Sequence, residues 1–245
     1  MIKVMWVASP DKANRRGLFV RAPADSVPTQ RHRSAIGPVC LAISSLLLLV
    51  FPLVRPFTDR AGTPAEVAAT YASTSWVAAH ILAGLGFVLL PVGLLELSTF
   101  LRDAHVERPA SQGLIVSWIG IGLILPTAFG TEPFALRAIG QAAIRQKNMD
   151  LLALAMSIRM GPQARFLFPG LLVLAIGASL IAVAVWRSGA LPRWSGVLFA
   201  LGMALFFPLF PRAMRIVDGM LIGVGGVWIA VSMLRHRGRS ETRSS

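Results

Sequence analysis

The chain has 245 residues, 55% of them hydrophobic and only 14% charged, with a mean hydropathy of +0.66. That balance falls outside the usual soluble composition and inside the membrane class. A net charge of +13 raises the question of a nucleic-acid partner, but the 24 Lys and Arg residues lie between and beyond the apolar runs and form no stripe with interleaved aromatics, so no nucleic acid is expected.

Residues 1–34 hold Lys3, Lys12, Arg15, Arg16, Arg21, Arg31 and Arg33 among Pro, Ser and Asp, with no apolar core. They read as a basic, disordered cytosolic tail. Arg15-Arg16-Gly17-Leu18-Phe19 superficially matches a twin-arginine export signal, but the apolar stretch that should follow is replaced by another basic, Pro-containing one.

Six apolar runs follow, at approximately 35–54, 75–101, 112–131, 164–186, 194–211 and 216–234. A helix needs about 20 residues to cross a hydrocarbon core ~30 Å thick, and isolated strands would leave backbone groups unpaired there. The predicted fold is therefore all-α, a polytopic transmembrane bundle of six spans, its fifth the shortest. Cys40 lies in the first run, and as the single cysteine it allows no intrachain disulfide and no Cys-based metal pattern. Trp76, Trp186 and Trp194 sit at run boundaries, where amphipathic rings favour the membrane interface. Prolines 91, 126, 169 and 208 are expected to bend spans two to five. Small residues recur at packing intervals: Ala79, Ala83 and Gly86, then Gly113, Ser117 and Gly120, then Gly219, Gly223 and Gly226. Such faces let backbones approach, within the bundle or toward a second copy or a membrane partner.

With both termini in the cytosol, 15 basic residues lie inside and 9 outside, so the positive-inside rule favours that orientation. The dissenting stretch is 134–162, a basic external loop whose Leu151, Leu154, Ala155 and Ile158 fall at helical spacing; it reads as an amphipathic helix lying on the surface. Residues 235–245 form a second basic cytosolic tail.

Ionisable groups inside spans are functional-site candidates by default, because hydrocarbon makes them costly. His80, Glu132 and Asp218 belong to three different spans, yet all three reach the outer leaflet in this topology, with Arg212 and Arg215 at the same level. Together they form a candidate polar pocket able to bind a cation, relay protons or orient a water. Interhelical hydrogen bonding, or charges reaching the interface, is the plainer account of the same residues. Glu96 is a secondary candidate. It lies about 24 Å along the helix from His80, at ~1.5 Å per residue, so it belongs to the inner boundary, with Arg102, Arg187 or water as its partner. A zinc centre normally recruits several His or Cys ligands and a haem often two axial ones, so no metal and no cofactor is expected around a lone intramembrane His. His32, His105 and His236 fall in cytosolic segments.

Asp218-Gly219 opening a helix is a favourable charge placement that needs no catalytic role, and no phosphate loop, nucleophile elbow, zinc-protease helix or dinucleotide fingerprint occurs. No catalytic residue is assigned.

Gly130-Thr131-Glu132-Pro133-Phe134-Ala135-Leu136-Arg137-Ala138-Ile139-Gly140, followed by Trp186-Arg187-Ser188-Gly189-Ala190-Leu191-Pro192-Arg193-Trp194-Ser195-Gly196, resembles a group of uncharacterised bacterial multi-pass membrane proteins over most of residues 35–234. The resemblance implies a bacterial inner-membrane setting and no activity, so no functional residue comes from it. The leading expectation is a non-enzymatic membrane protein that binds or moves a small solute or proton through the outer pocket. An intramembrane enzyme using the His and carboxylates is the alternative, and an accessory subunit is the third. A transporter should show a wet polar path from the pocket toward Glu96, an enzyme one closed pocket, and a partner-binding protein an exposed small-residue face.

Overall fold

The computed structural model of the chain describes residues 35–58, 62–102, 104 and 106–241. The basic tail expected over 1–34 lies outside these residues, as do His105 and the last four positions. The described residues form helices α1 (Ile36–Val54), α2 (Pro64–Ala72), α3 (Thr74–Arg102), α4 (Glu107–Ile124), α5 (Glu132–Gln146), α6 (Leu152–Met160), α7 (Pro162–Ser188), α8 (Arg193–Leu205) and α9 (Arg212–Glu241). A π-helical segment, Leu125–Thr131, joins α4 to α5 without a break, and a 3-10 turn at Met149–Leu151 precedes α6. Five stretches are long and apolar enough to cross a membrane: Ile36–Val54, Thr74–Arg102, Glu107–Gln146, Gln163–Ser188 and Arg212–Gly238. The molecule is an all-α helical bundle of membrane character.

Six helices close a ring in the order α3, α1, α9, α8, α7, α4 and back to α3. The small residues make that closure possible. A Cβ on Gly93 would lie 2.7 Å from Leu41 Cβ, and one on Gly120 would lie 2.6 Å from the Leu174 backbone nitrogen. Gly219 and Gly223 face Pro52 and Leu49 of α1, so the α9 glycine face is filled by a neighbour in the same chain. Ser44 Oγ donates to the Gly86 carbonyl at 2.8 Å, a second tie between α1 and α3.

The fifth apolar run does not form a helix to residue 211. Helix α8 has 13 residues, or ~20 Å of rise, and the chain leaves it at Phe206. Pro208 and Pro211 supply no N–H and disfavour helical geometry in the residues before them. Single turns replace the helix there, with Phe206 N–H bonding Met203 O and Phe210 N–H bonding Phe207 O. Pro91 and Pro169, by contrast, stay inside α3 and α7.

The stretch expected to hold one surface helix forms two, α5 and α6, separated by Lys147 in a left-handed turn (φ 50°). They pack with α2 over one end of the ring, hereafter the cap end. Tyr71, Trp76, Val77, Leu136 and Ala155 make its core, with Leu152 and Ile158 alongside, while Leu154 is exposed. Helix α2 was not among the apolar runs because it is only nine residues long and four of them are alanine. Its signal is a capping box: Thr63 Oγ1 accepts from Glu66 N–H, Glu66 Oε2 accepts from Thr63 N–H at 2.7 Å, and Pro64 stands in the first turn.

The cap corrects the interfacial role expected for Trp76, whose ring is fully buried beneath it. Trp186 and Trp194 do keep such a position, 42% and 61% exposed at the opposite end, with ring centroids 5.7 Å apart in an edge-on pair. That opposite end carries the start of α1 and the finish of α9. There the helix of α9 runs on through Glu241, into what the sequence reads as tail.

Candidate functional site

The site is built where five ring elements meet the cap. Its key irregularity is the π segment. Pro126 cannot donate a backbone hydrogen bond, and the turns around it widen: Glu132 N–H bonds Thr127 O, five residues back. Thr127 Oγ1 donates to the carbonyls of Leu123 and Ile124 at 3.1 and 3.0 Å, and Thr131 Oγ1 to Pro126 O at 2.9 Å, so side-chain hydroxyls bond carbonyls through the irregular turns. The extra width turns Ala128, Phe129 and Glu132 toward one cavity.

That cavity has a volume of about 40 Å³. A water occupies roughly 10–15 Å³ on this measure, so the space suits about three waters or a group of similar size. Its ionisable lining is Arg55 from the end of α1, His80 from α3, Glu132 from the start of α5, Arg159 from the end of α6 and Arg215 from the start of α9. The apolar lining includes Phe51, Ile124, Phe129, Leu167, Leu171 and Phe206.

Glu132 is 5% exposed and held by two neighbours. Arg159 Nε lies 3.2 Å from its Oε1, and Gln163 Nε2 donates to its Oε2. Arg159 also donates to the Tyr71 hydroxyl at 3.0 Å. One guanidinium thus links α6 to α5 and α2 across the cap, while Gln163 ties the same carboxylate to α7. A buried charge is tolerated when such partners replace water.

His80 is 3% exposed and sits among rings: Trp76 at 4.4 Å, Phe51 at 5.5 Å and Phe129 at 6.1 Å between centroids. Its Nδ1 lies 2.6 Å from the Trp76 carbonyl oxygen. A carbonyl can only accept, so Nδ1 carries a proton and donates it to Trp76. Arg55 lies over the Trp76 ring at 4.7 Å, and Arg215 over Phe206 at 4.4 Å, both within cation–π range.

His80 and Glu132 therefore share the cavity, as their common depth predicts. Asp218 does not line it. Its carboxylate is fully buried with Oδ2 3.3 Å from Arg215 Nη1, so it reaches the site only through that arginine. Glu96 lies at the other end of the bundle, and its partner is Arg237 of α9 rather than Arg102 or Arg187. Arg102 instead donates to Thr99 Oγ1 at 3.3 Å. Helix α9 runs parallel to α3, both starting at the cap end, and by continuing past its expected end it brings Arg237 alongside Glu96.

No protein-family model, curated protein or solved structure matches the chain.

The chemistry must therefore be read from the residues themselves. Among the described residues no group of three or more His, Cys, Asp or Glu side chains is gathered as metal ligands would be. What the cavity offers is guanidinium groups, one imidazole and one carboxylate against aromatic walls. Its inner side is closed by rings: Phe51, Phe87, Phe129 and Phe206 contact one another with centroids 5.2–6.0 Å apart. Beyond them Leu90, Leu94 and Leu97 are buried along α3 on the way to Glu96. The wet path expected of a transporter is filled by apolar side chains in this conformation.

Sequence reasoning missed Arg55 and Arg159, which it counted only as topology charges, and Gln163 and Tyr71 altogether. Arg159 had a usable signal, since it follows the apolar face of α6 by one position. Its pairing with Glu132 had none, because 27 residues and two turns separate them.

Proposed function

We propose that the protein is a six-span bacterial inner-membrane protein, with both termini cytosolic and the cap outside, that binds a small polar solute in the cap-end cavity. The orientation is supported by the excess of basic residues at the terminal end. The span beyond the five long ones would be the fifth in chain order, α8 completed by residues 206–211. Irregular backbone at membrane depth is tolerated where it is buried in protein or lines a cavity, and Phe206 and Pro208 do line this one. The bacterial setting rests on the sequence resemblance.

The observation that carries the reading is the convergence of Arg55, His80, Glu132, Arg159 and Arg215 on one 40 Å³ space with an aromatic floor. A blind pocket of that kind binds rather than conducts. The glycine faces packed inside the ring weigh against a scaffold that recruits partners through them.

Ligand-dependent thermal stability of the purified protein tests the reading, using small anionic, neutral and cationic solutes. Ala128→Leu is the control, because Ala128 lines the cavity and a larger side chain there fills it. At least one class should stabilise the wild type, by the amount that ligand concentration and affinity dictate, and should leave Ala128→Leu unmoved. Equal behaviour of the two proteins toward every class would sink the reading.

A further inference from the structure

We infer that the turn between α7 and α8, at the end of the bundle opposite the cap, binds the phosphate headgroup of an anionic phospholipid. The inference is independent of the cap-end cavity. The segment reads Trp186-Arg187-Ser188-Gly189-Ala190-Leu191-Pro192-Arg193-Trp194, with a tryptophan and an arginine on each side of the turn. It closes the apolar stretch Gln163–Ser188, so it stands where a helix of that length leaves the hydrocarbon. Local structure holds it in one shape. Gly189 takes a left-handed conformation (φ 62°) that ends α7, Ser188 Oγ accepts from the Ala190 N–H at 3.3 Å, Leu191 is buried, and α8 starts after Pro192. A Cβ on Gly196 would lie 2.9 Å from Val185 Cβ, so the two helices meet closely just behind the turn.

That close approach gathers charge and rings on an exposed surface. Trp186 and Trp194 form the edge-on pair, and the Arg193 guanidinium carbon lies 5.6 Å from the Trp186 ring centroid. Arg187 and Arg193 are both exposed, and among the described residues no carboxylate pairs with either. Their charge is available to a ligand, unlike that of Arg159 and Arg215 in the cap. A planar guanidinium grips phosphate oxygens through parallel N–H donors, and indole rings favour the headgroup depth beside them. A zwitterionic headgroup is a poorer match. Its ammonium would need a carboxylate or an open aromatic face, yet residues 186–194 contain no Asp or Glu, and Arg193 already covers the Trp186 ring. Each basic residue near an anionic membrane surface contributes roughly a fivefold gain in binding, so two contribute on the order of 25-fold. In the orientation proposed above, the lipid belongs to the cytosolic leaflet.

The test uses the full-length protein in neutral detergent at constant ionic strength, with bound lipid counted by native mass spectrometry. Dioleoyl phosphatidylglycerol and dioleoyl phosphatidylcholine are titrated, with inorganic phosphate as a competitor. Wild type is compared with the double variant Arg187→Gln/Arg193→Gln and with Arg102→Gln, which removes an exposed arginine of α3 across the ring. Phosphatidylglycerol should bind the wild type at least fivefold more tightly than phosphatidylcholine. The double variant should lose that preference, and Arg102→Gln should keep it. Equal binding of the two lipids, or tighter binding of phosphatidylcholine, would overturn the proposal. So would a double variant that keeps the full preference, or an equal loss in Arg102→Gln, which would mark diffuse surface charge rather than a site. Displacement of phosphatidylglycerol by inorganic phosphate at a comparable concentration would assign a soluble anion and overturn the lipid assignment. The comparison of lipids on the wild type needs no variant, so the conclusion survives even if the double variant does not fold.

Discussion

The two ends of the bundle solve the problem of charge near hydrocarbon in opposite ways. At the cap end, Arg55, His80, Glu132, Arg159, Arg215 and Asp218 are all buried, and α2, α5 and α6 are laid over them. At the terminal end the described ion pair is Glu96 with Arg237, whose side chains stay 24% and 12% exposed, over a layer of Leu97, Leu101, Ile229 and Met233. Charge at the terminal end is placed where water can reach it. Charge at the cap end is drawn inward and roofed, and the proposed binding site is built from it.

The largest effect should come from breaking the buried pair at the cap. Arg159→Ala leaves the Glu132 carboxylate without its cation and should cost about 3–5 kcal/mol of stability. Adding Glu132→Gln to Arg159→Ala should recover a substantial part of that loss in thermal unfolding of the detergent-solubilised protein. A single Arg159→Ala variant as stable as wild type would erase the distinction between the ends. The matching change at the terminal end, Arg237→Ala, should cost under about 1 kcal/mol, because water still reaches Glu96 once its partner is gone. A cost equal to that of Arg159→Ala would show that the terminal pair is as buried in its consequences as the cap pair.

The smallest effect sharpens the picture of the cap itself. Hydrogen bonds from the Thr63 backbone and side chain hold the Glu66 carboxyl below its ordinary range. A depressed folded-state value means that this contribution is complete above the unfolded carboxylate range and is lost as pH falls through the folded value. Amide hydrogen exchange in α2 should therefore quicken on acidification, after correction for intrinsic exchange. Glu66→Gln should flatten that pH dependence without touching the ring.

How much of this was legible in the sequence follows from how far apart the cooperating residues lie. The long helices were readable because a hydrophobic run carries its own explanation, and Ser75 to Leu101 became α3 almost unchanged. Where a run was interrupted by Pro208 and Pro211, its helix ended early, and the prolines that signalled a bend in fact marked an end. The capping box of α2 was present in plain residues, but the helix it opens is too short and too rich in alanine to draw attention. His80 and Glu132, matched by depth, line one cavity, since helix rise gives depth from sequence position. Asp218, matched to them by depth, sits behind Arg215 and outside the lining, because depth alone does not say which way a side chain turns in the ring. Arg55 and Arg159 come from segments next to spans, where every arginine resembles a topology signal until the chain is folded back on itself.

The central claim of the proposed reading is that the polar cavity lies at the outer end, beneath the cap, and is closed toward the cytosol by the phenylalanine rings. Thiol accessibility in intact cells tests it most directly, with the native Cys40 replaced by alanine and a single Ala128→Cys substitution placed in the cavity lining. A small membrane-impermeant thiol reagent added outside intact cells should label the Ala128→Cys protein, and the same reagent added to the medium around inverted vesicles, which bathes the cytosolic face, should not. Labelling from the cytosolic face with none from outside would contradict the account.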